Sequence, residues 1–215
     1  PKKRIMIGYM NRFNEQLQEV KHMADHGELG NIAYFNASVY TDATLLYAKT
    51  NYREEQNWSL IIDYTHEIDF ARYLIGEADE VFAMADALGN QKHMARPNIC
   101  EIMLRFKNRA IGTIHMDYIR DPEKRALEVI GDKGSIELYL SDGVLRIYNN
   151  GIKGFREIRN PFIRDQLFIK QIDNFINMIF GEEEPKVNLA DGIAAIKIAE
   201  SAIMSCKENK AIKLE

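Results

Sequence analysis

The stretch N-W-S-L-I-I-D-Y-T-H-E-I-D-F-A-R-Y-L-I-G, residues 57–76, carries a carboxylate and an imidazole inside a largely apolar segment. Its apolar spacing and closing glycine predict one helix, with Asn57 or Ser59 as the N-cap. On that helix Asp63 and His66 are three residues apart, so both side chains would project from one face. A carboxylate beside a histidine can orient the ring and hold its pKa near neutrality, as a proton-transfer group requires. The alternative is that His66 is a partly buried helix residue satisfied by its neighbour.

The residues before this helix predict a helix, a strand and a long loop. Apolar side chains recur at helical spacing from Glu15 to about His26, and residues 32–41 alternate as a strand does. Residues 42–57 are polar and have no clean period. A loop of this length inside a compact domain is usually functional.

The residues after this helix predict a group of strands. From Val81 to Tyr148, apolar runs are separated by turn signals, among them residues 132–134 and 141–143. Short turns of this kind between apolar runs are typical of antiparallel hairpins. A last strand-like piece at residues 211–214 is expected at an edge of the sheet.

Two helices are predicted near the end of the chain. The first has an apolar stripe: Phe168, Ile172, Phe175, Ile176 and Ile179. The second has Asn188 as its N-cap, with Asp191 three residues on as in a capping box. Its predicted buried face consists of Ile193, Ile196, Ala199, Ala202 and Ile203.

Strands grouped together, with helices before and after them, indicate an α+β fold rather than alternating βαβ units. One face of the sheet is expected to be covered by the helices. The other face carries tyrosine, methionine, threonine and histidine side chains, a mixture suited to a subunit interface. We therefore expect a homodimer or homotetramer that assembles through the open face of the sheet.

Composition sets limits on partners and location. The chain has 215 residues, 46% of them hydrophobic, and a formal net charge of -4. That charge argues against nucleic acid or an anionic membrane as the main partner. No run approaches the roughly 20 apolar residues of a membrane span. Cys100 and Cys206 lie far apart without metal-type spacing, which favours reduced, buried thiols and a cytoplasmic protein.

A metal-dependent hydrolase built on His66 is a further alternative. Among the other histidines only His22 and His26 share helical spacing, and no carboxylate cluster joins them persuasively. Metal centres need a fuller ligand set than this. The sequence therefore predicts no metal site.

Eight short patterns follow one another along the chain: Gly8-Tyr-Met-Asn-Arg12-Phe13-Asn14, Gly27-Glu-Leu-Gly30, Tyr52-Arg53, Asp63-Tyr-Thr-His66-Glu-Ile-Asp69, Leu74-Ile-Gly76-Glu77, Gly112-Thr-Ile-His-Met-Asp117-Tyr118, Gly131-Asp-Lys-Gly134-Ser-Ile and Asp191-Gly. In this order they resemble the landmarks of the glucose-fructose oxidoreductase/inositol dehydrogenase (Gfo/Idh/MocA) family. No single pattern is decisive, but the ordered set covers essentially the whole chain.

The resemblance implies a two-domain oxidoreductase, in which a dinucleotide-binding Rossmann domain precedes an α+β domain with a large, open, mostly antiparallel sheet. In this interpretation residues 1–10 are the last strand of the missing dinucleotide-binding domain, and residues 11–215 are the substrate-binding and oligomerisation domain. The family's Gly-x-Gly-x-x-Gly fingerprint does not occur, since Gly131 and Gly134 lie in a hairpin turn. The family's catalytic-lysine segment is also absent. The cofactor, NAD or NADP, would be bound mainly by the Rossmann domain, and this chain alone would be inactive.

The resemblance also implies roles for individual residues. His66 falls on the family's usual acid/base position, which exchanges a proton with a sugar hydroxyl or ketone during hydride transfer. Asp63 matches the aspartate that would orient this ring or bind a substrate hydroxyl. The residues expected at the substrate, a sugar, nucleotide sugar or polyol, are Asn11, Arg12, Tyr52, Arg53 and Tyr118. Glu67 and Asp69 are expected to be charges on the helix surface or at its cap.

One departure from the family concerns the residues just before the helix. Many relatives carry a run of glycines where this chain has Asn57, Trp58 and Ser59, so the shape of the pocket is expected to differ. The main functional alternative is a non-catalytic binding or assembly module that kept the sheet and lost catalysis. A Rossmann half encoded upstream of Pro1 would favour the enzyme.

Overall fold

The structure is a computed structural model, and it describes residues 4–41, 57–88, 96–151 and 153–214. The helices within these ranges are a 3-10 helix at Met10–Phe13, α1 Glu15–Asp25, α2 Ser59–Asp63, α3 Thr65–Ile75, α4 Arg164–Phe180 and α5 Leu189–Glu208. The strands are β1 Ile32–Tyr40, β2 Ala78–Asp86, β3 Ile99–Phe106, β4 Ile111–Asp117, β5 Lys124–Gly131, β6 Gly134–Tyr139, β7 Val144–Asn149, β8 Arg156–Arg159 and β9 Ile212–Lys213. No helix of the described ranges is long and apolar enough to cross a membrane.

The strands form one open sheet in the order β8-β7-β6-β5-β1-β4-β3-β2-β9. Strands β1 and β4 run parallel, with Ala37 opposite Ile114, and the other paired strands of the described chain are antiparallel. The turns at residues 132–134 and 141–143 join antiparallel neighbours, and the strand near the end of the chain lies at a sheet edge. These three predictions are confirmed.

The helices cover one face of the sheet. Along β1, Phe35, Ala37 and Val39 are buried, whereas Tyr34 and Asn36 on the opposite face are partly exposed. Helix α3 packs on β1, and helix α5 packs on β2. The predicted α+β fold, with an open and mostly antiparallel sheet and helices on one face, is confirmed.

Capping side chains begin two of the helices. The side chain of Asn14 accepts a hydrogen bond from the Leu17 amide at 3.0 Å, at the start of α1. At the start of α5, Asn188 and Asp191 exchange bonds of 3.0 and 3.1 Å between side chain and backbone. These bonds satisfy backbone amides that the first turn of a helix leaves without partners. The predicted capping box of Asn188 and Asp191 is confirmed.

The prediction of one helix across residues 57–76 is wrong. Helices α2 and α3 are separated at Tyr64, whose backbone (φ -105°, ψ 34°) is not helical. The N-cap position of α2 is Trp58, whose side chain makes no capping bond. Trp58 has a φ of 74°, in the left-handed region that glycine adopts at least cost. Asp63 and His66 therefore belong to two helices, not to one helical face.

The apolar stripes near the end of the chain are more exposed than expected. On α4, the exposed large side chains are Phe168, Ile169, Ile172, Phe175, Ile176, Ile179 and Phe180. On α5, Ala199 and Ala202 are buried as predicted, but Ile193 is 50% and Ile196 is 37% exposed. The predicted buried face of α5 is therefore wrong at these two isoleucines, which the rest of the described chain leaves uncovered.

The opening segment runs along the beginning of α5. Within residues 4–9 no strand is present; the Ile7 amide donates a hydrogen bond to the Val187 carbonyl at 3.0 Å. Gly192 permits this close approach, because a Cβ there would lie 2.8 Å from Ile7 Cγ1. The segment then enters the 3-10 helix and turns towards α3.

Candidate active site

His66 lies at the start of α3, beside the end of the opening segment. Its imidazole meets the ring of Tyr9 edge-on, with 5.3 Å between centroids and 66° between planes. Nδ1 is shielded from solvent and has no hydrogen-bond partner in the described chain. The imidazole therefore has an unbonded ring nitrogen where the opening segment and α3 meet.

Burial is the main cause that lowers the pKa of His66 to about 3, and the nearby positive charge of Arg125 lowers it further. The ring is accordingly neutral at pH 7. The expectation that a carboxylate would hold this pKa near neutrality is wrong. Within the described chain no hydrogen bond joins Asp63 to His66, since the break at Tyr64 separates the two residues. A catalytic role for Asp63 stays a prediction.

Glu67 and Asp69 are both fully buried, with 0% of their surface exposed. The expectation that they lie on the helix surface is therefore wrong. Helix α3 is covered by the sheet on one side and by the opening segment and α5 on another, so each carboxylate faces protein. A buried carboxylate needs a cationic or hydrogen-bonding partner, and each of these has an arginine beside it.

Asp69 is paired with Arg12. Nε and Nη2 of Arg12 donate hydrogen bonds of 2.9 and 2.6 Å to the two carboxylate oxygens. Arg12 also lies 3.4 Å from Asp191 and 4.6 Å above the ring of Tyr73, and only 8% of its side chain is exposed. Burial raises the pKa of Asp69, and the bond to Arg12 opposes that rise. This arginine joins the opening segment to α3 and α5. Its expected contact with a substrate stays a prediction.

Glu67 is paired with Arg125 on β5. Nε of Arg125 lies 2.7 Å from Glu67 Oε1, and 21% of the arginine side chain is exposed. Burial raises the pKa of Glu67, and the charge of Arg125 opposes the rise. Sequence reasoning missed Arg125, although strand alternation places it on the same face as the buried Leu127 and Val129. The sequence pattern that could have identified Arg125 is a basic residue at a position that strand alternation assigns to the buried face.

The other residues expected at the substrate have different surroundings. Asn11 is fully buried, and neither of its side-chain amide atoms has a hydrogen-bond partner. Tyr118 is buried, and its ring packs against that of Tyr64 at 5.9 Å. Tyr52 and Arg53 lie outside the described residues. Substrate contacts by all four remain predictions.

The glycines at positions 131 and 134 do not form a phosphate cradle. Gly131 and Gly134 flank the β5–β6 turn, and a Cβ on Gly131 would lie 2.1 Å from the carbonyl oxygen of Leu29. The glycine at position 131 therefore makes room for backbone rather than for a phosphate. Among the described residues, no three His, Cys, Asp or Glu side chains come together as a metal centre requires.

Comparison with known proteins gives consistent results. A family model described as the GFO/IDH/MocA C-terminal domain matches residues 17–137. Myo-inositol 2-dehydrogenase of Thermotoga maritima is 25% identical over 227 residues, covering 98% of this chain and 64% of that protein. The chain thus spans less than two thirds of the length of this curated relative.

Solved structures share the fold. An oxidoreductase of Agrobacterium radiobacter in complex with NAD+, L-tartaric acid and magnesium matches with a TM-score of 0.83 and 18% identity, covering 98% of this chain and 65% of that chain. Levoglucosan dehydrogenase in complex with NADH and L-sorbose matches with a TM-score of 0.82 and 18% identity, covering 100% and 68%. At these identities the matches establish the fold alone.

Proposed function

This chain belongs to the Gfo/Idh/MocA family, and on that premise we propose that it is the substrate-binding and oligomerisation part of a NAD(P)-dependent oxidoreductase. The full protein would act on a sugar, nucleotide sugar or polyol by hydride transfer. Its similarity to a myo-inositol 2-dehydrogenase and to a levoglucosan dehydrogenase supports this class of substrate. A cytoplasmic location belongs to the same proposal.

The position of His66 carries this proposal. Its ring meets Tyr9, at the end of the segment that would arrive from a dinucleotide-binding domain. A proton-transfer group must be within reach both of the substrate hydroxyl and of the place where hydride leaves. A histidine facing away from the opening segment could not meet this requirement.

The chemistry assigned to these residues is proton transfer. Because the imidazole of His66 is neutral at pH 7, a nitrogen can accept the proton of a substrate hydroxyl as the carbinol carbon is oxidised. In the reverse reaction the protonated ring returns that proton to the carbonyl oxygen. The nicotinamide accepts the hydride, and its binding groups belong to a domain outside residues 4–214.

The exposed apolar surface of α4 and α5 supports a two-domain arrangement. Phe180 is 74% exposed and Ile169 is 58% exposed on α4, and Ile193 is 50% exposed on α5. Large apolar side chains exposed in this number are usually covered by another protein surface. We propose that a dinucleotide-binding domain covers them, with residues 1–10 as the connection and residues 11–215 as the substrate domain.

The open face of the sheet supports assembly into a homodimer or homotetramer. Met84, Met103 and Ile111 lie on this face and are 64%, 50% and 44% exposed. Around them lie tyrosine, threonine and charged side chains, the mixture expected at a subunit interface. A second copy of the sheet would bury these methionines.

The test of this proposal is a substrate panel on the full-length protein. Neutral and acidic sugars, polyols and nucleotide sugars are offered with NAD+ or NADP+, and the absorbance of the reduced cofactor is followed. We expect substrate-dependent reduction with at least one sugar or polyol. The isolated residues 1–215 serve as a control and should show no NADH binding in a fluorescence titration.

Two results would contradict the proposed function. A folded, oligomeric full-length protein that reduces neither nucleotide with any member of the panel would contradict the enzyme and favour an assembly module. Tight NADH binding by residues 1–215 would contradict the proposed division between the two domains.

A further inference from the structure

Two arginines contact carboxylates of helix α3, and they differ in how many of their nitrogens already have partners. Arg12 is enclosed: Nε and Nη2 bond to Asp69, and Nη1 lies 3.5 Å from the Lys186 carbonyl. Arg125 contacts Glu67 through Nε alone. Its Nη1 and Nη2 make no hydrogen bond or ion pair with any residue in the described ranges.

Arg125 is held by hydrogen bonds at its backbone, and its Nε forms an ion pair with Glu67. Its amide donates a hydrogen bond of 2.9 Å to Ser141 Oγ, and its carbonyl accepts one of 2.9 Å from the Leu140 amide. In β1 its register partner is Val39, a buried residue on the helix-covered face. A guanidinium fixed in this way presents its two terminal nitrogens in one defined direction, and ordering it costs little when a ligand binds.

The guanidinium lies close enough to His66 for its charge to act on the imidazole. Arg125 contacts α3 at Glu67, the residue that follows His66. An anion bound at the free nitrogens of Arg125 would therefore lie near the same part of α3 as the proposed proton-transfer group.

We infer that Arg125 is the anion-binding residue of the substrate pocket, and that the substrate is a sugar acid whose carboxylate contacts Nη1 and Nη2. This inference rests on the proposed function and narrows its substrate class. Parallel hydrogen bonds from a guanidinium to a carboxylate are among the strongest that proteins make. Glu67 already balances part of the arginine charge, so a singly charged carboxylate fits better than a doubly charged phosphate.

The bound carboxylate also has a consequence for the chemistry. The positive charge of Arg125 disfavours the protonated form of His66, and a substrate carboxylate beside that arginine opposes this effect. Binding an acidic sugar would therefore make His66 a better proton acceptor. A neutral sugar would provide no such change.

The experiment compares matched sugars on the full-length protein. D-glucuronate is paired with D-glucose, D-galacturonate with D-galactose, and D-gluconate with D-glucitol, each with NAD+ and NADP+. We expect the unmodified protein to have a higher kcat/KM for the acidic member of at least one pair. This comparison needs no variant to fold.

The variant that isolates the contact is Arg125→Met, which keeps the length of the side chain and removes its donors. We expect kcat/KM for the preferred acid to fall by about 10²-fold or more, because a charge-assisted contact is lost. The value for the matched neutral sugar should stay within about threefold. Arg156→Met, at an arginine 66% exposed on β8, is the control and should change neither value.

A second variant addresses stability. Arg125→Met leaves Glu67 buried without its cation. The double variant Arg125→Met with Glu67→Gln removes that buried charge and should fold. Its kcat/KM should fall as far for the acidic sugar and stay unchanged for the neutral one. Equal losses for acidic and neutral sugars would overturn the inference, as would a preference for neutral or phosphorylated sugars. Those outcomes leave the proposed function standing, whereas reduction of neither nucleotide with any sugar would overturn both.

Discussion

In the helix layer, Glu67 and Asp69 are fully buried and each lies against one arginine, whereas Glu101 and Arg146 on the open sheet face are 47% and 34% exposed. On that face His115 lies between Glu101 at 2.8 Å and Asp117 at 2.9 Å. The two layers are only one sheet apart, yet the same residue types behave differently in them. Solvent access, more than proximity in sequence, therefore decides whether a charged side chain of this protein depends on a buried partner of opposite charge.

The two histidines make the contrast measurable. Burial and Arg125 lower the pKa of His66, whose nitrogens contact no carboxylate in the described chain. The hydrogen bond to Glu101 is the largest cause that raises the pKa of His115, with Asp117 acting in the same direction. Burial and Arg125 favour the neutral form of His66, whereas the two carboxylates favour the protonated form of His115.

The largest effect is expected in the helix layer. Asp69→Asn would leave the guanidinium of Arg12 buried without its main counter-charge, and we expect the free energy of unfolding to fall by roughly 3–5 kcal/mol. The matched change on the open face is Glu157→Gln, which removes the partner of the more exposed Arg146 and should lower the free energy of unfolding much less, because solvent screens this pair. Urea unfolding of both variants checks this, and equal losses would contradict the contrast between the layers.

A smaller effect is expected from the pH dependence at His66. Its pKa is about 3 in the folded chain and about 6.5 in the unfolded chain, so the unfolded chain binds the proton more readily between these values. Stability should therefore be lost as pH falls through this window. Relative to His66→Asn, the unmodified chain should lose about 2–3 kcal/mol between pH 6.5 and 4. If the free energy of unfolding changed with pH equally in the two chains, the pKa of His66 would not be lowered by folding, and the prediction would be wrong.

The smallest effect, with the opposite sign, is expected at His115. Because its folded pKa is raised, its contribution is fully present below the unfolded pKa and is lost as pH rises through the folded pKa. We expect His115→Gln to cost about 1 kcal/mol or less near pH 6, since the pair is partly exposed. The histidine C2 proton resonance, followed by NMR against pH, measures the shift directly, and a midpoint below 6.5 would contradict it.

Local patterns were sufficient to predict much of the fold. Alternation along β1, the short hairpin turns and the Asn188–Asp191 capping box each depend on residues within a few positions of one another. The break at Tyr64 was not predictable from spacing, because the apolar pattern continues across it. The buried face predicted for α5 was wrong at Ile193 and Ile196 for a different reason: apolar spacing along a helix does not show which other part of the protein covers that face.

The site was predicted less completely than the fold. His66 was identified by its place among ordered patterns, but its surroundings depend on residues distant in sequence. Arg12 and Asp69 are 57 positions apart, and Arg125 on β5 contacts Glu67 on α3. Such pairings arise only when α3 packs against the sheet and the opening segment. The sequence could indicate which residues carry charge, but not which of them would be enclosed together.

The most direct test of the account is turnover by the full-length protein carrying His66→Asn. At saturating substrate and cofactor, kcat should fall by roughly 10²-fold or more, the usual contribution of acid/base catalysis. His26→Asn, at an exposed histidine on the same chain, should leave kcat unchanged. A His66→Asn protein that turns over at the unmodified rate would remove this imidazole from the reaction and contradict the account.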